Sequence, residues 1–200
     1  MQDILKYFIV SLECGMSGFP EQIQLYDYTI KVVALGNAAV GKTSCIRRYT
    51  EGVFTSNYIA TLGTIFSTKI ISIVLPNGQK SSVRLILWDL AGQDGYQELR
   101  KRYMIGARVA FIAYDITDRE SFEAVPEWYS RFIEECPDAL VVLVANKVDL
   151  DKRVVSTKDG KKLAKKINSL YYEVSAKSGV NINDMFDEPV SKVFASMDLT

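Results

Sequence analysis

The chain reads as an α/β domain built on one mostly parallel sheet. Near-continuous apolar runs at 109–114 and 140–145 fit strands covered on both faces. Helix-like stretches alternate with such runs, and Pro76-Asn77-Gly78-Gln79 is a single strong hairpin turn. In order, the first strand is 28–35, an apolar run with the β-branched bias of a buried position. A helix can propagate after residue 43. Strands 70–75 and 83–88 flank the turn and therefore pair antiparallel at one edge. Strands 109–114 and 140–145 follow, and 170–174 is a weaker sixth. Helices are expected around 121–135 and 158–168. A last one sets Ile182, Met185, Phe186, Val190, Val193 and Phe194 on one side, with Pro189 predicting a kink. The expected architecture is six strands, mostly parallel with one antiparallel, and helices on both faces.

Two hundred residues with 48% hydrophobic content suit one domain with a sizeable core. The 24 basic and 24 acidic residues balance, so no overall field favours nucleic acid. The absence of histidine excludes imidazole acid/base chemistry and His-ligated zinc. Cys14, Cys45 and Cys136 form no C-x-x-C pair, which suits a reduced, cytoplasmic chain with Cys45 packed rather than reactive. Residues 1–27 stand apart as an N-terminal extension before a domain at 28–200. Ile4 to Leu12 is apolar, but Asp3 precedes it and no basic n-region exists, which argues against a signal peptide. Gln2 in place of glycine predicts no N-terminal myristoylation. The extension is expected to dock on the domain or on another copy of it; the alternative is a segment that binds a partner or a membrane surface.

Gly36-Asn37-Ala38-Ala39-Val40-Gly41-Lys42-Thr43 matches the phosphate-loop pattern G-x-x-x-x-G-K-S/T, between a strand and a helix start. That placement aims the backbone N–H groups of Ala38, Ala39, Val40, Gly41, Lys42, Thr43 and Ser44, and a positive helix end, at a polyphosphate. Lys42 would reach the β- and γ-phosphates, and the Thr43 hydroxyl would ligate Mg²⁺. Downstream, Trp88-Asp89-Leu90-Ala91-Gly92-Gln93 follows a strand. Asp89 would hold Mg²⁺ through a water, since that ion keeps part of its hydration shell. Gly92 has no Cβ, so its amide can approach the γ-phosphate closely. Gln93 would orient the attacking water.

Asn146-Lys147-Val148-Asp149 ends another buried strand. A carboxylate at Asp149 can accept both N1–H and N2–H of guanine, a donor pair adenine lacks. Lys147 would lie over the base and Asn146 would brace the loops. Ser175-Ala176-Lys177 would complete the pocket, with the Ala176 N–H donating to guanine O6. Phe54 could pack edge-on against the base, Tyr58 could cover the phosphates, and Thr61 could reach Mg²⁺ and the γ-phosphate.

With these motifs in this order, residues 28–197 resemble a small GTPase of the Ras superfamily, most like its Rab branch. The stretch from Phe54 to Gly63 resembles the Rab switch I, and Arg102 to Ala107 with Tyr114 to Asp118 resembles the Rab segment after switch II. The resemblance implies a phosphate-loop G domain that binds GTP or GDP with Mg²⁺. Switch I lies near 54–66 and switch II near 91–105. The implied activity is slow GTP hydrolysis, with Gln93 and Lys42 as catalytic residues and Thr43, Thr61 and Asp89 at the metal. Partners implied are exchange factors, activating proteins and effectors in vesicle traffic. The chain is expected in the cytoplasm, peripheral on endomembranes through those partners. Three features depart from the family. Ala38 and Ala39 stand where at least one glycine or serine is usual, Asp94-Gly95-Tyr96 replaces Glu-Arg-Phe or Glu-Arg-Tyr, and no cysteine for a lipid anchor follows Cys136. These leave open an alternative, a module that holds GTP or GDP and hardly turns it over.

Overall fold

The computed structural model describes residues 26–56, 61, 63–92 and 97–196, with the side chains of residues 97–99 excepted. Its strands are β1 (Tyr28–Leu35), β2 (Thr64–Val74), β3 (Lys80–Leu90), β4 (Val109–Asp115), β5 (Leu140–Asn146) and β6 (Leu170–Glu173). They form one sheet in the order β2-β3-β1-β4-β5-β6, in which β2 and β3 pair antiparallel and every other pair is parallel. The helices are α1 (Lys42–Glu51), α2 (Gln97–Met104), α3 (Arg119–Glu123), α4 (Val125–Glu135), α5 (Thr157–Lys166) and α6 (Ile182–Ala195).

The central strands are apolar throughout because both their faces are covered. Every residue of β4 is buried. One core layer lies under α1 and α6, where Tyr49 stacks on Phe186 at 4.2 Å and Phe111 meets the same ring edge-on. The other gathers Val33, Leu35, Ile112, Leu143, Trp128 and Phe132 beneath α4 and α5. Each such aliphatic or aromatic side chain contributes roughly 1.5–3 kcal/mol by leaving water.

Several boundaries differ from those the sequence suggests, each for a physical reason. The edge hairpin extends well past 70–75 and 83–88. The first half of β2 mixes Ser67, Thr68 and Lys69 with exposed Phe66, because an edge strand with one wet face lacks an apolar run. The helix expected around 121–135 is two helices. Asp118 caps α3 by accepting from the Glu120 and Ser121 N–H groups, and Pro126 cannot donate a bond back to Phe122, so the chain restarts as α4. Helix α2 is an addition, inside the segment read as switch II. Helix α6 continues as one element through the buried Pro189. Asp27, one residue before the expected domain start, already bonds Ser82 through its backbone N–H and its carboxylate. Cys45 is packed as expected, and burial pushes its thiol up to about 12.

Since β1, β3, β5 and β6 run parallel, the segments that follow them emerge on one edge of the sheet. Ligands of open α/β sheets bind at such carboxyl ends. The antiparallel β2 begins at that same edge, where Thr64 pairs with Leu90. That register brings Thr61 close to Asp89.

Candidate functional site

Gly41 caps α1 in the left-handed region, with φ of 95°, and a Cβ there would lie 2.3 Å from Asn146 Nδ2. No side chain caps this helix and its first turn holds no acid. Its first N–H groups are therefore left for an anion in the cleft. Lys42 is 8% exposed and folds back over the loop, its Nζ donating to Gly36 O and Asn37 O at 2.8 Å each. Burial pushes its ammonium down to about 8, against the pull of Asp89. A buried ammonium hydrogen-bonded to two neutral carbonyls is suited to a negative partner in the cleft.

Beside it, three oxygen-bearing side chains converge. Thr43 Oγ1 donates to Asp89 Oδ2 and lies 2.9 Å from Thr61 Oγ1, which is 3.5 Å from Asp89 Oδ2. Asp89 is 2% exposed, and its second oxygen, Oδ1, has no hydrogen-bond partner among the described residues. Desolvation raises its pKa, opposed by the Thr43 bond and by Lys42. A buried carboxylate with an orphaned oxygen and two hydroxyls alongside fits a hard cation. No cluster of three or more His, Cys, Asp or Glu suited to a metal occurs among the described residues. One carboxylate and a few hydroxyls suit Mg²⁺, which takes its remaining ligands from water and phosphate.

At the other end of the cleft, Asn146 joins three segments. Its Nδ2 donates to Val40 O at 2.8 Å and its Oδ1 accepts from the Ala176 N–H at 3.3 Å. Lys147 takes a left-handed φ of 68° and pairs with Asp115 at 2.6 Å. Asp149 Oδ1 accepts from Ser175 Oγ at 2.6 Å, while Lys177 Nζ lies 3.8 Å from its Oδ2. One carboxylate oxygen of this cleft-lining residue is thus held by Ser175 and the other lies beside a lysine.

The cleft has a volume of about 400 Å³ and runs from one group to the other. Of the residues singled out from sequence, Ala38, Ala39, Gly41, Lys42, Thr43, Ser44, Phe54, Thr61, Gly92, Asn146, Lys147, Asp149, Ala176 and Lys177 line it. Val40, Asp89 and Ser175 are buried just behind the wall. Tyr58 and Gln93 lie outside the described residues. Ala39 holds a left-handed φ of 62°, a conformation that costs a residue with a Cβ free energy.

A family model for the Ras family matches residues 31–195. The chain belongs to the Ras family. Curated relatives place it among its Rab-like small GTPases. It is 37% identical to the Ras-related protein Rab-3C of Bos taurus over 176 residues, 87% of this chain and 75% of that one. It is 38% identical to the Ras-related protein Rab-3 of Caenorhabditis elegans, covering 87% of this chain and 78% of the relative. The Ras-related protein Rab11D of Nicotiana tabacum is 35% identical over 89% of this chain and 79% of its own length.

Two features of this Ras-family chain were not visible in its motifs. Asn37 of the phosphate loop accepts from the indole N–H of Trp128, 91 positions away, at 2.8 Å. On the outer face of the hairpin, Phe66, Trp88 and Tyr103 form an aromatic row, with ring centroids 5.9 and 5.0 Å apart. Phe66 is 66% exposed and its neighbour Ile65 is 49% exposed. The sequence signal for the row is faint: a single outward Phe on an edge strand reads like any surface residue.

Proposed function

We propose that this chain is a guanine-nucleotide switch that binds GTP or GDP with Mg²⁺ and slowly hydrolyses GTP. The observation that supports the reading is one cleft lined by Lys42, Thr43 and Thr61, with Asp89 buried behind them, and by Asp149. Lys42 and the N–H groups at the start of α1 hold the phosphates. Asp149 accepts the guanine N1–H and N2–H pair, and the Ala176 N–H donates to O6. Lys147, anchored by Asp115, covers the base. Thr43, Thr61 and Asp89 would hold Mg²⁺, which would supply charge neutralisation to the phosphates. Gln93 orients water toward the γ-phosphate. Such catalysis is positioning and charge stabilisation, and needs no histidine.

Gln93→Leu tests the hydrolytic part. It should leave GDP affinity nearly intact and slow single-turnover GTP hydrolysis by about tenfold or more, because the residue acts in the transition state. A wild type that hydrolyses GTP no faster than this variant would favour the second reading, a module that holds the nucleotide. The strained Ala39 beside the phosphates is the observation on that side.

Gly92 supplies a further test. A Cβ there would lie 2.5 Å from Ala38 N and from Asn37 C, so Gly92→Ala must push the start of switch II off the phosphate loop. We expect affinity for a non-hydrolysable GTP analogue to fall about tenfold or more while GDP binding changes little. Equal losses for both nucleotides would remove Gly92 from γ-phosphate recognition.

The wider role follows the relatives. Changes in the two switch segments would alter the surface read by exchange factors, activating proteins and effectors, and the aromatic row Phe66, Trp88 and Tyr103 is its apolar centre. The setting is vesicle traffic, on the cytoplasmic side of endomembranes.

A further inference from the structure

Between the two switch segments and α4 runs a chain of contacts that the hydrolytic residues do not account for. Trp128, 7% exposed, reaches from α4 to the phosphate loop through its bond to Asn37 Oδ1. Its ring carries the Arg100 guanidinium of α2, whose carbon lies 4.9 Å from the ring centroid. Arg100 is 3% exposed, and its Nη1 donates to Ala91 O at 3.0 Å. The Ala91 N–H in turn donates to Gly63 O at 3.0 Å, in switch I. The next residue is Gly92, packed so closely on the Asn37–Ala38 peptide that a Cβ has no room.

Burying an arginine is costly, and a purely structural filler at this place would be apolar. The guanidinium does what an apolar side chain cannot. Its rigid planar fork holds a carbonyl and lies on an aromatic ring at once. Helix α4 packs on β4 through Val125, Trp128 and Phe132, so Trp128 is anchored in the core. Arg100 ties the start of switch II to that anchor, and Asn37 ties the phosphate loop to it.

We propose that Trp128 and Arg100 are positioning residues that set Gly92 against the phosphate loop and so favour nucleotide that carries a γ-phosphate. Neither touches the nucleotide. They act through Asn37 and Ala91. The inference rests on the guanine-nucleotide reading of the cleft, but not on hydrolysis.

The test uses the full chain and two ligands, GDP and a non-hydrolysable GTP analogue. Trp128→Phe keeps the ring and deletes only the N–H donor. It should lower the ratio of analogue affinity to GDP affinity about three- to tenfold, the range of one hydrogen bond, with GDP affinity moving less than about twofold. Asn37→Ala should do the same, and the double variant should fall no further than the worse single, because both remove one bond. Arg100→Met, which keeps length and loses the fork, should shift the ratio in the same direction. If Trp128→Phe melts early, Asn37→Ala on its own carries the test, since its site is a partly exposed loop. An unchanged ratio in the folded variants, additive losses in the double, or equal losses on both nucleotides would overturn the proposal. A wild type that binds both ligands but fails to hydrolyse GTP would defeat the hydrolytic reading and leave this ratio measurable. A chain that binds neither ligand would overturn both.

Discussion

Asp149→Asn should lower GTP affinity by about 10²–10⁴-fold, the cost of spoiling two charge-assisted hydrogen bonds in a site built for them. The geometry makes this substitution clean. Ser175 Oγ donates to Asp149 Oδ1 at 2.6 Å, a bond that an asparagine carbonyl oxygen can still accept. The amide nitrogen then replaces Oδ2, the oxygen that Ser175 does not hold, so an acceptor becomes a donor where the base would present N–H groups. Xanthine carries a carbonyl at position 2 instead of the amine, so the variant should recover part of its affinity for xanthosine triphosphate. Thermal stability should hardly change, since the Ser175 contact survives. Titration of the variant with GTP and xanthosine triphosphate checks this. Unchanged GTP affinity would remove Asp149 from the base pocket and with it the case for guanine over adenine.

The parts of the molecule that were legible in the sequence are those where local chemistry dictates local structure. The phosphate loop is one: Gly41 at a left-handed helix cap and Lys42 just inside the helix belong to a contiguous segment, and their spacing is the geometry. The hairpin at Asn77-Gly78 is another, closed by Leu75 and Gln79 around a turn that its own residues specify. The central strands were legible because burial on both faces leaves only apolar residues. What escaped depends on tertiary approach. The Asn37–Trp128 bond joins positions far apart in the chain, and an indole N–H leaves no pattern in the sequence that names its acceptor. Arg100 sits in a run with Lys101 and Arg102, which reads as the solvated face of a helix, yet it is buried while its two neighbours are exposed. The break at Ala124 was hidden because Pro126 is tolerated in the first turn of a helix, so it marks a start as readily as an end. Asp89 shows the two kinds of information together. Its motif names it, but only the fold reveals that one of its oxygens has no hydrogen-bond partner among the described residues.

That orphaned oxygen leads to the second large effect, which we expect from Thr43→Asn. In the present arrangement Thr43 Oγ1 sits between Asp89 Oδ2 and Thr61 Oγ1, so one hydroxyl touches both other groups assigned to the metal. An asparagine amide is longer and brings two N–H donors. It would hydrogen-bond to Asp89 and occupy the space of a cation, satisfying the carboxylate without one. Thr61 Oγ1 already lies 2.9 Å from Thr43 Oγ1 and 3.5 Å from Asp89 Oδ2, and a γ-phosphate would offer the cation a ligand that GDP lacks. The GTP-bound state therefore depends on the shared hydroxyl more than the GDP-bound state does. Loss of groups that merely orient metal ligands commonly costs about 10–100-fold, so a direct ligand should cost at least about tenfold in affinity for GTP with Mg²⁺. GDP affinity should fall by no more than a few-fold. A chelator supplies the internal control: it should weaken GTP binding by the wild type and add little to the defect of the variant, whose metal is already lost. Equal losses for GTP and GDP, or a variant that still responds to chelator as the wild type does, would reduce Thr43 to a residue that merely starts α1.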